Sequence, residues 1–137
     1  MDTDRVWKIY WDGKYGSGFS GNKQITNTAD LMEVLKMRDI DGDAEFFIQR
    51  EDMCEQLLQL HVTKSHWYLH YFPEGDIVPG FHSIGKDSDN TEMTHMPAGS
   101  NIYVLNYTLV TSEVAYQAAE EFVKTGTIPT CVEWFEL

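Results

Sequence analysis

The stretch His66-Trp67-Tyr68-Leu69-His70-Tyr71-Phe72, followed by Pro73-Glu74-Gly75-Asp76, constrains the fold more than any other part of the chain. Side chains alternate sides along an extended strand, so Trp67, Leu69 and Tyr71 share one face while His66, Tyr68 and His70 share the other. The first face reads as a core wall and the second as amphipathic. Pro73 lacks the N–H that a ladder needs and Gly75 tolerates positive φ, so the chain leaves the sheet on a turn carrying Glu74 and Asp76. A chain with such a strand has to build a sheet and cover its apolar side.

The remaining patterns supply both parts. Residues 5–11 alternate as a first strand, with Trp7, Ile9 and Trp11 on one face. Asp12-Gly13 breaks it, and residues 16–21 are glycine-rich enough to form a loop or an irregular hairpin arm. A helix is predicted over 29–38, capped by Asn27 or Thr28, with Asp30 in its first turn and Leu31, Val34 and Leu35 at helical spacing. Residues 44–50 form a second strand that sets Phe46 and Ile48 opposite Glu45, Phe47 and Gln49, and residues 57–62 form a third. The tight connection Lys64-Ser65 makes an antiparallel hairpin with the strand from His66, placing His61 near His66 at the turn. Residues 77–84 are extended, 92–96 read as a short edge strand and 102–107 as a strand. A second helix runs from a Thr111 or Ser112 cap to about Lys124 with Gly126 at C′, and 130–137 form a last strand. The expected architecture is α+β, a mainly antiparallel sheet with two helices packed on one face. At 137 residues the simplest organisation is one domain spanning 1–137.

Charge narrows the partner. The formal net charge is -12, from 22 Asp and Glu against 10 Lys and Arg. Nucleic acid as a direct ligand requires a basic footprint and is not expected, whereas a basic protein partner is favoured by electrostatic steering. Surplus acid also serves solubility alone. Cys54 and Cys131 are distant in sequence and form no C-x-x-C, which suits reduced, packed thiols in a cytoplasmic protein. The acidic start Met1-Asp2-Thr3-Asp4 precedes no long apolar run, so neither a signal peptide nor a membrane span is expected.

Catalytic and metal chemistry find little footing. The glycine-rich stretch lacks G-K-[ST], so no phosphate loop and no cofactor are expected. Asp39-Ile40-Asp41-Gly42-Asp43 suggests a calcium loop, but glycine falls at the fourth position and Arg50 occupies the twelfth, where a glutamate is required. His66 and His70 are separated by roughly 13 Å along a strand, too far to share one ion. A small metal-dependent or cysteine enzyme using the His61, His66 and His70 hairpin is an alternative, as is a housekeeping protein-interaction module. No local nucleophile signature surrounds either cysteine, and no catalytic residue and no metal ligand are assigned.

What stands out is acid. Asp39, Asp41, Asp43, Glu45, Glu51, Asp52 and Glu55 form one group, and Glu74, Asp76, Asp87, Asp89 and Glu92 a second. If their loops share one sheet edge, they surround aromatics such as Tyr68 and Phe72 with charge, as a tight protein interface requires; otherwise each run is a separate solvated turn.

Three motifs carry a resemblance. Tyr71-Phe72-Pro73-Glu74-Gly75-Asp76, the helical Ala118-Ala119-Glu120-Glu121-Phe122 and the terminal Pro129-Thr130-Cys131-Val132-Glu133-Trp134 resemble the first numbered family of bacterial immunity proteins, from polymorphic and contact-dependent toxin systems. The resemblance covers most of the second half and, more loosely, the first strand and helix. It implies a small cytoplasmic α+β protein that binds a cognate toxin domain, such as a nucleic-acid deaminase or nuclease, and occludes its active site. An acidic inhibitor suits a toxin whose own surface must be basic to hold nucleic acid. The expected toxin-binding residues are then Asp39, Asp41, Asp43, Glu45, Tyr68, Glu74, Asp76, Asp87 and Asp89, with Glu133 and Trp134 as family-like positions. Neither direct nucleic-acid nor membrane partners are expected, and the sequence specifies no oligomeric state.

Overall fold

A computed structural model describes residues 6–50, 53–73, 79–87 and 89–137. Nine strands and two helices follow in the order β1 (Trp7–Asp12), β2 (Ser20–Ile25), α1 (Thr28–Leu35), β3 (Asp43–Arg50), β4 (Met53–Thr63), β5 (His66–Phe72), β6 (Phe81–Ile84), β7 (Met93–Met96), β8 (Ile102–Leu105), α2 (Ser112–Thr125) and β9 (Glu133–Glu136). Seven of them make one antiparallel sheet in the order β2-β1-β3-β4-β5-β6-β9, and β7 pairs with β8 in a second, two-stranded sheet. The α+β architecture read from the sequence is the one observed.

Both helices cover one face of the large sheet. That face carries Ile9, Phe46, Leu60 and Leu69, all fully buried, as are Leu31 and Leu35 of α1 and Ala118 and Phe122 of α2. The Phe122 ring meets Trp7 edge-on at 5.0 Å and Tyr71 at 6.0 Å, which ties α2 to both β1 and β5. Fully burying a side chain of this size contributes about 2–3 kcal/mol, so this layer supplies most of the stability. The core wall of Trp67, Leu69 and Tyr71 is therefore confirmed as buried.

The caps explain where the helices start and stop. Asn27 Oδ1 accepts the Asp30 N–H at 2.8 Å, and Thr111 Oγ1 accepts the Val114 N–H at 3.3 Å, each satisfying an orphan donor. Gly126 closes α2 at φ 70° and donates to the Phe122 carbonyl. Expected helix 29–38 ends earlier, at Leu35: the Met37 N–H turns back to Val34, and the Arg38 guanidinium donates to the Leu35 and Met37 carbonyls.

Several strands differ from expectation. β2 is a full partner of β1, although Ser20-Gly21-Asn22-Lys23-Gln24 has no apolar alternation; its backbone ladder holds it, and of its side chains Ile25 alone is buried. The segment expected over 77–84 is a strand from Phe81, with residues 77 and 78 outside those described, and β9 begins at Glu133. The strand expected over 102–107 gives way after Leu105 to a 3-10 turn, Asn106–Thr108. Among the described residues no helix is long and apolar enough to cross a membrane.

The hairpin of β7 and β8 lies on the other face. Met96 and Val104 pack on Tyr68 there and form a small second core. This places a roof over one part of the second face only.

Candidate functional site

The second face is built of cross-strand rows. Asp12, Glu45, His61 and Tyr68 stand side by side across β1, β3, β4 and β5. The next row runs Tyr10, Phe47, Gln59, His70, His82 and Phe135 out to β9. In the first row Glu45, His61 and Tyr68 are buried, the hairpin packing on Tyr68, while Asp12 is exposed; the second row is largely half-exposed.

Under the roof, Glu45 and His61 are both buried. One Glu45 oxygen accepts the Ser100 N–H at 3.0 Å and faces the Gln59 amide at 3.4 Å, which fastens the hairpin turn to β3. His61 Nδ1 lies 3.1 Å from the same oxygen without the alignment of a hydrogen bond. Burial, and secondarily the nearby His70, pushes the His61 pKa down to about 3, so its imidazole is neutral at pH 7. Burial likewise pushes the Glu45 carboxyl upward against the opposing Ser100 and Gln59 bonds. A glycine at 99 permits this approach: a Cβ there would clash with the Glu45 carboxylate.

Asp39 performs the same task beyond the edge of the roof. Its carboxylate accepts backbone N–H groups from Lys14 at 2.8 Å and from Asp41 and Asp43 at 2.9 Å each. Burial pushes its pKa up, but the amides of Lys14, Asp43, Asp41 and Gly42 outweigh this and hold the carboxyl below its usual range. Asp43 is buried too and accepts the Thr63 hydroxyl. Asp41 is half-exposed and pairs with the Lys14 ammonium at 3.6 Å, an exposed pair of small energetic worth. Lys14 bridges to Ala98, and the Gly99 N–H donates to the Gly13 carbonyl at 2.8 Å. The loops around residues 13–17, 39–42 and 97–101 are thus locked into one end of the molecule.

Asp39, Asp41, Asp43 and Glu45 are therefore brought together, joined by Asp12, which the sequence reading did not single out. Three of the four spend their oxygens inside the protein rather than at its surface. Tyr68 is buried beneath the hairpin. Asp87 and Asp89 are exposed on the separate loop between β6 and β7. Glu51, Asp52, Glu74 and Asp76 lie outside the described residues, as does the side chain of Glu55. Asp12 and Gly13 were visible as a turn signal, yet nothing local indicated that this turn meets the one at Gly99.

The histidine hairpin is arranged for packing. The register sets Tyr68 opposite His61 and Thr63 opposite His66, so His61 and His66 are diagonal neighbours and not a facing pair. His70 Nε2 bonds the Pro79 carbonyl at 2.8 Å, and the His70 ring stacks on Phe72 at 4.1 Å. The Cys131 thiol is pushed up by burial and by Glu121, the wrong direction for a nucleophile. Among the described residues no three His, Cys, Asp or Glu side chains are grouped to hold a metal ion. Trp134 packs on the main core, its indole N–H donating to the Pro129 carbonyl at 2.8 Å, while Glu133 is exposed.

Comparison with known proteins gives one family. The family model described as Immunity protein Imm1 matches residues 21–136, which takes in both helices and every strand that follows β1 in the chain. No curated protein matches the chain.

Proposed function

The chain belongs to the Imm1 family of immunity proteins, and from that premise we propose that it neutralises a nucleic-acid-targeting toxin by binding its basic catalytic surface. The family match carries the toxin-neutralising role. The net charge of -12 supports the choice of partner, because a domain that holds phosphate backbones must be basic and its open cleft attracts an acidic surface. On this reading the protein acts by occupying the toxin in the cytoplasm, without chemistry of its own. Neutral buried His61 and the raised Cys131 thiol accord with that role, since neither is poised to transfer protons or attack a substrate near pH 7.

Growth protection is the test. Cells producing the toxin domain encoded beside this gene are expected to grow when they also produce this chain and to die without it. Continued killing at equal expression would remove the reading.

A further inference from the structure

We infer that Tyr15 and Ile40 are the apolar anchors on which the basic toxin domain docks, with the acids behind them serving as frame and field. The inference rests on the immunity reading and adds where the partner binds. Tyr15 is fully exposed and Ile40 is 91% exposed. A single exposed apolar side chain needs no explanation, but these two occupy adjoining turns that the molecule braces from below.

Each sits second in a four-residue turn. The Ser17 N–H closes on the Lys14 carbonyl at 2.9 Å around Tyr15, and the Gly42 N–H closes on the Asp39 carbonyl at 3.0 Å around Ile40. The Asp39 carboxylate grips the Lys14 amide, joining one turn to the other, and the Lys14–Asp41 pair spans them. Gly13 is required at the joint, because a Cβ would meet the Asp39 Cβ at 2.9 Å. Holding a tip rigid before binding removes ordering cost from association, which is the condition under which an aromatic or aliphatic anchor yields affinity.

Charge selects the occupant. Asp12, Asp39, Asp41 and Asp43 surround the turns against Lys14. A second copy of this chain would bring the same excess of acid and be repelled, whereas a basic domain is drawn in. An open groove of about 530 Å³ adjoins the Tyr15 loop, with Asp12 and Ser20 at the points where that loop leaves β1 and enters β2. Tyr10 and Phe47, paired across β1 and β3, line it. The Lys8 ammonium already lies over the Tyr10 ring at 5.8 Å, and the groove leaves Phe47 and Asp12 to the stem and head of a partner's lysine or arginine.

The test uses the full chain and, as probe, a catalytically inactive form of the toxin domain encoded beside it. In titration calorimetry, Tyr15→Ala with Ile40→Ala is expected to weaken binding at least tenfold while moving the melting temperature by about 5 °C at most. Phe135→Ala, at the far edge of the sheet, is expected to bind as the parent does. Amide exchange on the parent complex is expected to slow over residues 13–17 and 39–42. Parent-like affinity of the double variant, or protection elsewhere only, would overturn the anchor assignment and leave the immunity reading standing. Failure of the parent chain to bind would overturn both.

Discussion

The two faces of the sheet are covered by different means. Under the helices the contacts are apolar and interchangeable in kind: Trp7, Phe46, Leu60 and Phe122 are fully buried among one another. Under the hairpin the buried groups are Glu45, His61 and Tyr68, and next to them Asp39 holds loop amides and Asp43 the Thr63 hydroxyl. Apolar burial is non-directional and stabilises whatever is compact, whereas a buried carboxylate accepts donors only from particular positions. The first face supplies the stability of the fold and the second fixes the shape of one end. A protein whose task is to present a rigid surface needs both.

That contrast can be broken by substitution. Phe122→Ala should cost about 3–5 kcal/mol in urea unfolding, because it opens a cavity between Trp7 and Tyr71; a loss under 1 kcal/mol would place the stability elsewhere. Glu45→Ala should cost less, about 1–3 kcal/mol, since it strands the Ser100 amide. Its signature is local: amide exchange at Ser100 and Gly99 should quicken before the helices respond. Uniform quickening would mean that the polar layer has no separate role.

Acid acts on the second face through His61. The unfolded imidazole takes a proton near pH 6.5 and the buried one only near 3, so between these values the unfolded state binds more protons. The stability contributed by a neutral His61 is complete above pH 6.5 and falls as the pH drops toward 3. Glu45 has the opposite sign: its raised carboxyl favours the folded state at low pH and that contribution is lost as pH rises above its usual 4.5. Comparing the parent with His61→Gln isolates the histidine. The urea midpoint of the parent should fall between pH 7 and 5 and that of the variant should fall less; equal slopes would contradict a neutral His61.

The smallest effect on folding belongs to the tips. Tyr15→Ala and Ile40→Ala should each change stability by about 0.5 kcal/mol or less, as exposed positions do. A larger loss in thermal unfolding would mean that these side chains support the loops that carry them.

Much of the fold was legible because its signals are local. Alternation announced β1, β3, β4 and β5, and the capping residues Asn27, Thr111 and Gly126 marked both helices. β2 escaped because an edge strand can be held by backbone bonds alone, leaving Ser20 to Gln24 free to be polar. The site was legible in composition and illegible in role. Asp39, Asp43 and Glu45 read as surface charge, since nothing near them in sequence names Lys14, Thr63 or Ser100 as their partners. Those contacts join positions 20 to 55 residues apart and exist only once β1, β3 and the hairpin are assembled. Tyr15 and Ile40 were passed over for a related reason: only the finished fold distinguishes an apolar side chain left outside from one turned in.

Neutralisation on this reading is direct occupation of a basic partner. The most direct measurement titrates the purified chain into the active toxin domain encoded beside it, following toxin activity and binding together at low and high salt. The expected result is a Kd on the order of nanomolar at low salt, a weaker one at high salt, and activity that falls in step with occupancy to none at saturation. A saturated complex that remains active, or binding indifferent to salt, would contradict it.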